Sequence, residues 1–198
     1  MNPHSKSKIF LALVLAISIA ATGCSAQWVN LALQDLPVLT QMALNIATVV
    51  STLASGQQAS AADTAVIQNI SAQASRDLNL LQSLYGEYRA APSPTTLQQI
   101  QTVISSLNQN LPALLESAHI ANPVLSARIT AAVNLILTTV NSFAALMPQA
   151  STSPATSQKV RAKSLPRAQD LKKQWNQQIC APTGNVALDA AFAHSTLR

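Results

Sequence analysis

Hydrophobic residues recur in four long stretches of this chain at the three- and four-residue steps of a helix that buries one face. Leu36, Leu39, Ala43, Ile46, Val50 and Leu53 form the first stripe. Asp35 is a suitable N-cap with Pro37 in the first turn, and Gly56 is a suitable stop. The second stripe opens at Ser60, with Asp63 three residues on as a variant capping box, and runs from Ile67 through Ile70, Ala74, Leu78 and Leu81 to Tyr85 and Tyr88. Pro92 and Pro94 end it. Ser93 then caps a third stripe of Leu97, Ile100, Ile104, Leu107, Leu111, Leu114 and Ala118. Pro112 lacks an amide donor and predicts a kink, or a split after Asn110. Asn122-Pro123 opens the fourth stripe, Ile129, Ala132, Ile136, Val140, Phe143 and Met147, which Pro148 closes.

Four amphipathic helices joined by short loops predict an all-α fold, an antiparallel four-helix bundle. Beyond it, Gln149 to Gln158 has linker composition, and Ala168, Leu171, Trp175 and Ile179 mark one further short helix. Val186 to Ala193 adds a weak turn or two. The expected organisation is an export signal over 1–23, a tether over 24–34, the bundle over 35–148, a linker over 149–164, and a flexible basic extension with a short helix over 165–198.

Composition sharpens this picture. Charged residues are 10% of the chain, against about 25% in ordinary domains, so Gln, Asn, Ser and Thr must supply the polar surface. Aromatics at 4% and only 4 glycines disfavour a sheet protein with many tight turns. Charge is also uneven. Residues 24–150 carry Arg76, Arg89 and Arg128 against Asp35, Asp63, Asp77, Glu87 and Glu116, whereas seven cations face two acids in 151–198. The basic character therefore belongs to the C-terminal part.

The N-terminus has the order of an export signal: Lys6 and Lys8, then the uncharged run Ile9 to Ala21, then small residues. That run is shorter than the roughly 20 apolar residues a membrane span needs. Its exit, Ala21-Thr22-Gly23-Cys24, resembles the lipobox of bacterial lipoproteins, with Ala21 where leucine is commonest. The resemblance implies cleavage between Gly23 and Cys24, acylation of Cys24 with palmitate-like chains, and a lipid-anchored protein of the cell envelope. Ser25 after the cysteine implies the outer membrane, facing the periplasm, in a Gram-negative cell. A competing reading is an ordinary cut after Cys24-Ser25-Ala26, leaving Gln27 first.

Convergent chemistry is hard to find in the sequence. His119 and His194 stand apart, and there is no zinc-spaced Cys/His set, glycine-rich phosphate loop or paired carboxylate face. No catalytic residue, metal ligand or cofactor is therefore assigned, and the expected role is non-enzymatic. His119 suits the C-terminal dipole of the third helix. Cys180 has three readings: a quiet thiol, a partner in an intermolecular disulfide, or a reactive nucleophile with Lys172 and Lys173 near in sequence but no adjacent histidine. Asn134, Thr138 and Asn141 share one helix face, as an exposed polar stripe or as a contact that fixes helix pairing. Lys159, Arg161, Lys163, Arg167, Lys172 and Lys173, with Trp175 behind them, form a candidate surface for anionic lipid or an anionic envelope polymer. Alternatively, Leu171 and Trp175 dock on the bundle. Export makes nucleic acid an unsuitable partner. These features together predict a membrane-tethered helical scaffold or adaptor with a protein or polymer partner. The alternatives are a membrane-active or channel-associated helical protein and a carrier of a small apolar ligand.

Overall fold

The computed structural model describes residues 3–55, 59–118, 120–147 and 166–198, with side chains from Gln27 onward apart from Ser55 and Ser117. Among the described residues there are six helices and no strand: α1 (Pro3–Ser55), α2 (Ala61–Ala90), α3 (Pro94–Ser117), α4 (Pro123–Ala144), α5 (Ala168–Gln178) and α6 (Val186–Ala193). α1 packs on α2 and α4, and α3 packs on the same two helices, closing a four-helix bundle. α5 and α6 lie against α1, and α5 also touches α4.

The three internal helix starts form as their caps dictate. Ser60 Oγ accepts the Asp63 amide at 3.0 Å, and Ser93 Oγ accepts the Thr96 amide at 3.0 Å. Asn122 Oδ1 accepts from Val124 and Leu125 at 3.0 and 3.1 Å. Each satisfies amides that the first helical turn leaves without partners.

Three expectations are corrected. Asp35 does not start a helix: α1 runs unbroken through it and through Pro37. Residues 27–34 are no free tether either, because Trp28, Val29 and Ala32 extend the buried stripe of α1 upstream. Burial on that stripe outweighs the amide missing at Pro37. α3 likewise continues past Pro112 to Ser117 rather than splitting at Asn110.

At one end of the bundle, Trp28 meets Tyr85 edge-on at 5.5 Å between ring centroids and Tyr88 at 6.0 Å. Tyr85 meets Phe143 at 6.4 Å, so three helices share one aromatic cluster. Further along, Ser71 Oγ donates to the Ala43 carbonyl at 2.6 Å and Gln68 Nε2 to Ser51 Oγ at 3.4 Å. The start of α2 thus lies beside the end of α1, which makes the pair antiparallel. Asn134 and Thr138 are exposed, while Asn108 and Asn141 exchange two amide hydrogen bonds, at 2.7 and 2.9 Å, between α3 and α4. Gly56, His119, Pro148 and the linker 149–164 lie outside the described residues.

Candidate functional site

The most specific polar chemistry in the molecule lies where α5 and α6 meet the bundle. Leu171, Trp175, Ile179, Leu188 and Phe192 are all buried there. Their spacing gives both short helices an apolar side that neither can bury alone. This corrects the flexible extension expected over 165–198, of which 166–198 is folded onto α1 and α4. It also removes Trp175 from the candidate lipid-binding surface, since that indole is 0% exposed.

One carbonyl organises the seam. Ser195 O accepts from Trp175 Nε1 at 2.9 Å and from Asn45 Nδ2 of α1 at 2.8 Å. Gln41 Nε2 donates to Asn45 Oδ1 at 2.9 Å and sets the orientation of that amide. Asn176 and Leu197 close a reciprocal pair, both bonds at 2.9 Å. From α4, Arg128 donates to the carbonyls of Gln178 and Ala181, and its guanidinium sits 5.7 Å from the Phe192 ring centroid. A single cation thereby satisfies the end of α5 and stacks on α6.

The turn between the two short helices is held by Asp189. Its carboxylate accepts from the Thr183 amide and hydroxyl, each at 2.7 Å, and from the Gly184 amide at 3.1 Å. Those bonds hold the carboxyl below its ordinary range. Gly184 has φ +82°, a left-handed conformation that suits glycine. Asn185 then caps α6 through the amides of Ala187 and Leu188.

At the other end of α5 sits Asp35, only 2% exposed on α1. It faces the amide of Ala168, the first residue of α5, close enough to favour the ionised form. Oδ2 has no hydrogen-bond partner among the described residues. Burial pushes this carboxyl from 3.8 up to about 6, against the lowering effect of the Ala168 amide and with a further push from Asp170. The sequence pattern places Asp35 at a helix start and carries no signal that marks Asn45 or Arg128. The usable signal for Asp35 was a carboxylate inside the stripe Ala32, Leu36, Leu39.

The remaining candidate residues are dispersed. Gly23 and Cys24 belong to the backbone of α1, with Cys24 one helical turn before Trp28; their side chains lie outside the described residues. Lys159, Arg161 and Lys163 also lie outside them. Arg167 is exposed at the start of α5. Lys172 donates to the Arg198 carbonyl at 2.6 Å and lines a groove of about 470 Å³ with His194 and Arg198. Lys173 is exposed on a different groove, of about 650 Å³, beside Asp170 and Ser142. α5 therefore sends its two lysines to separate faces. Burial pushes the half-buried Cys180 thiol up, although Trp175 and Arg128 pull the other way, so its thiolate is scarce at neutral pH.

Among the described residues, no group of three His, Cys, Asp or Glu is placed to hold a metal ion. Gln27–Ala54 and Pro123–Ala144 are long and apolar enough to cross a membrane, with half of each apolar window buried inside the bundle. No family model matches this chain, and no curated protein or solved structure is significantly similar to it.

Proposed function

We propose that this protein is a non-enzymatic helical scaffold or adaptor, held at a membrane surface of the bacterial envelope by acyl chains on Cys24. The observation that carries this reading is the continuity of α1. The helix runs without interruption from the segment bearing Cys24 into the bundle, and Trp28 is already buried. Four residues of helix span about 6 Å. Lipid on Cys24 would therefore hold the body close to the leaflet, with the Trp28–Tyr85 end facing it. Two or more acyl chains give stable anchoring where one does not.

The basic segment supports the same orientation. Met147 and Pro166 bracket the segment that carries Lys159, Arg161 and Lys163, and Pro166 lines a groove with Ser142 near the end of α4. Both attachment points lie toward the Trp28–Tyr85 end, since Phe143 belongs to that cluster. Lys159, Arg161 and Lys163 are thus joined to the end that would face anionic headgroups, where each cation near the surface contributes about 1 kcal/mol.

Mass spectrometry of the mature N-terminus, with fractionation of a Cys24→Ala variant, tests the reading. An acylated Cys24 and release of the variant from membranes are expected. A mature chain that begins at Gln27, or that keeps an unmodified Cys24 thiol, overturns it. A second reading, membrane insertion of α1 and α4, draws on their length and apolar character. It requires the protein to stay embedded after the acyl chains are removed and to permeabilise vesicles.

A further inference from the structure

A buried carboxylate with one unpartnered oxygen is an expensive feature, and Asp35 places it on the seam that joins the C-terminal helix pair to the bundle. Its surroundings leave an ionised group poorly compensated. From α5 it receives the Ala168 amide and the charge of Asp170, which adds repulsion. Of the α5 cations, Arg167 is exposed and its amide donates to Asp170 Oδ2 at 3.2 Å. Lys172 lines the groove with Pro37 and Val38 but donates to the Arg198 carbonyl at 2.6 Å, and Lys173 is exposed on the other groove. α4 has Arg128 as its one ionisable residue, and that side chain is engaged at the opposite end of α5 by Gln178 and Ala181. On α2, Asp77 is occupied by Gln73 at 2.8 Å. In the α6 unit, Asp189 is held by Thr183 and Gly184, and His194 is exposed.

We propose that Asp35 makes docking of the α5–α6 pair acid-tightened: protonating its carboxyl strengthens the seam, and ionising it loosens the seam. The neutral acid keeps an oxygen for the Ala168 amide and removes both the buried charge and its repulsion from Asp170. The Ala168 amide and the N-terminal dipole of α5 favour the ionised form, and both together are smaller than the desolvation of the buried charge.

The sign follows from linkage. Docked, burial pushes the carboxyl up to about 6; undocking opens Asp35 to water and moves it back toward the ordinary carboxylate range. The docked state therefore holds its proton more tightly, so docking is strongest below about pH 4, weakens as pH rises to 6 and is level above that. A difference of about two pH units corresponds to a change of up to about a hundredfold in the docking equilibrium. This device is independent of any lipid anchor.

Hydrogen exchange by mass spectrometry on the full chain in detergent tests it, with protection corrected for the pH dependence of intrinsic exchange. Protection over 168–193, relative to the four bundle helices, should fall ten- to a hundredfold between pH 4 and 7. In Asp35→Asn, which keeps the acceptor and cannot ionise, it should stay level. Wild-type protection that rises or stays level relative to the bundle overturns the proposal without recourse to the variant. Equal pH profiles in wild type and variant overturn it as well, because another group would then drive the change.

Discussion

The Ser195 carbonyl receives two donors, from Trp175 and from Asn45, which lies 150 residues away in the chain. Removing one donor leaves the oxygen satisfied by the other; removing both strands it in the interior. Asn45→Ala and Trp175→Phe should each cost about 1–2 kcal/mol, with the double variant losing more than the sum. A urea double-mutant cycle reads this directly, and strict additivity would mean that the shared acceptor is not what couples them. Tyr85 presents the opposite case. Its hydroxyl is fully buried without a partner, and burial holds the phenol far above its usual range. Tyr85→Phe should therefore leave stability unchanged or raise it by up to about 1 kcal/mol in chemical denaturation. A clear loss would reveal a partner for that oxygen.

At the level of helices, α1 shows tertiary burial overriding a local helix-start signal. Pro37 is exposed on a helix that continues in both directions, so its ring contributes little packing and its missing amide leaves the preceding turn one bond short. Pro37→Ala should stabilise the protein by about 1–3 kcal/mol, raising Tm by several degrees in calorimetry. No change would indicate that the first turn after Asp35 is a true helix start. The C-terminal pair shows a different dependence. α5 has 11 residues and α6 has 8, lengths too short for stable helices in water alone. Trp175 is their largest buried side chain, and Trp175→Ala should cost about 3–5 kcal/mol and undock them. In a Cys24→Ala background, faster alkylation of Cys180 would report that undocking. An unchanged rate would show that the half-buried thiol does not depend on the seam.

Over the whole molecule, low charge and divided charge have separate consequences. The bundle surface is built from amides and hydroxyls, many bonded within their own helix, such as Thr102 Oγ1 to the Gln98 carbonyl at 2.9 Å. Such a surface offers little long-range steering, so the cations of the C-terminal part dominate attraction to any anionic surface. Membrane association that depends on them should weaken with salt, whereas anchoring through Cys24 should not. Co-sedimentation of the protein purified from membranes with anionic vesicles at low and high salt separates the two contributions. Complete release by salt would place the binding energy in the cations and remove the anchor.

The four stripes, three internal caps and the all-helical class were determined by sequence alone, because hydrophobic period and capping chemistry act over a few residues. The apolar side of α5 was legible for the same reason. The extension of α1 back through Trp28, the burial of Asp35 and the folding of 166–198 onto the bundle were decided by tertiary structure. In each case a residue's role depends on a group distant along the chain: Tyr85 for Trp28, Ala168 for Asp35, Asn45 for Ser195. Local pattern shows which side of a helix seeks burial; which helix covers it, and which polar group is enclosed in the process, follows only from packing.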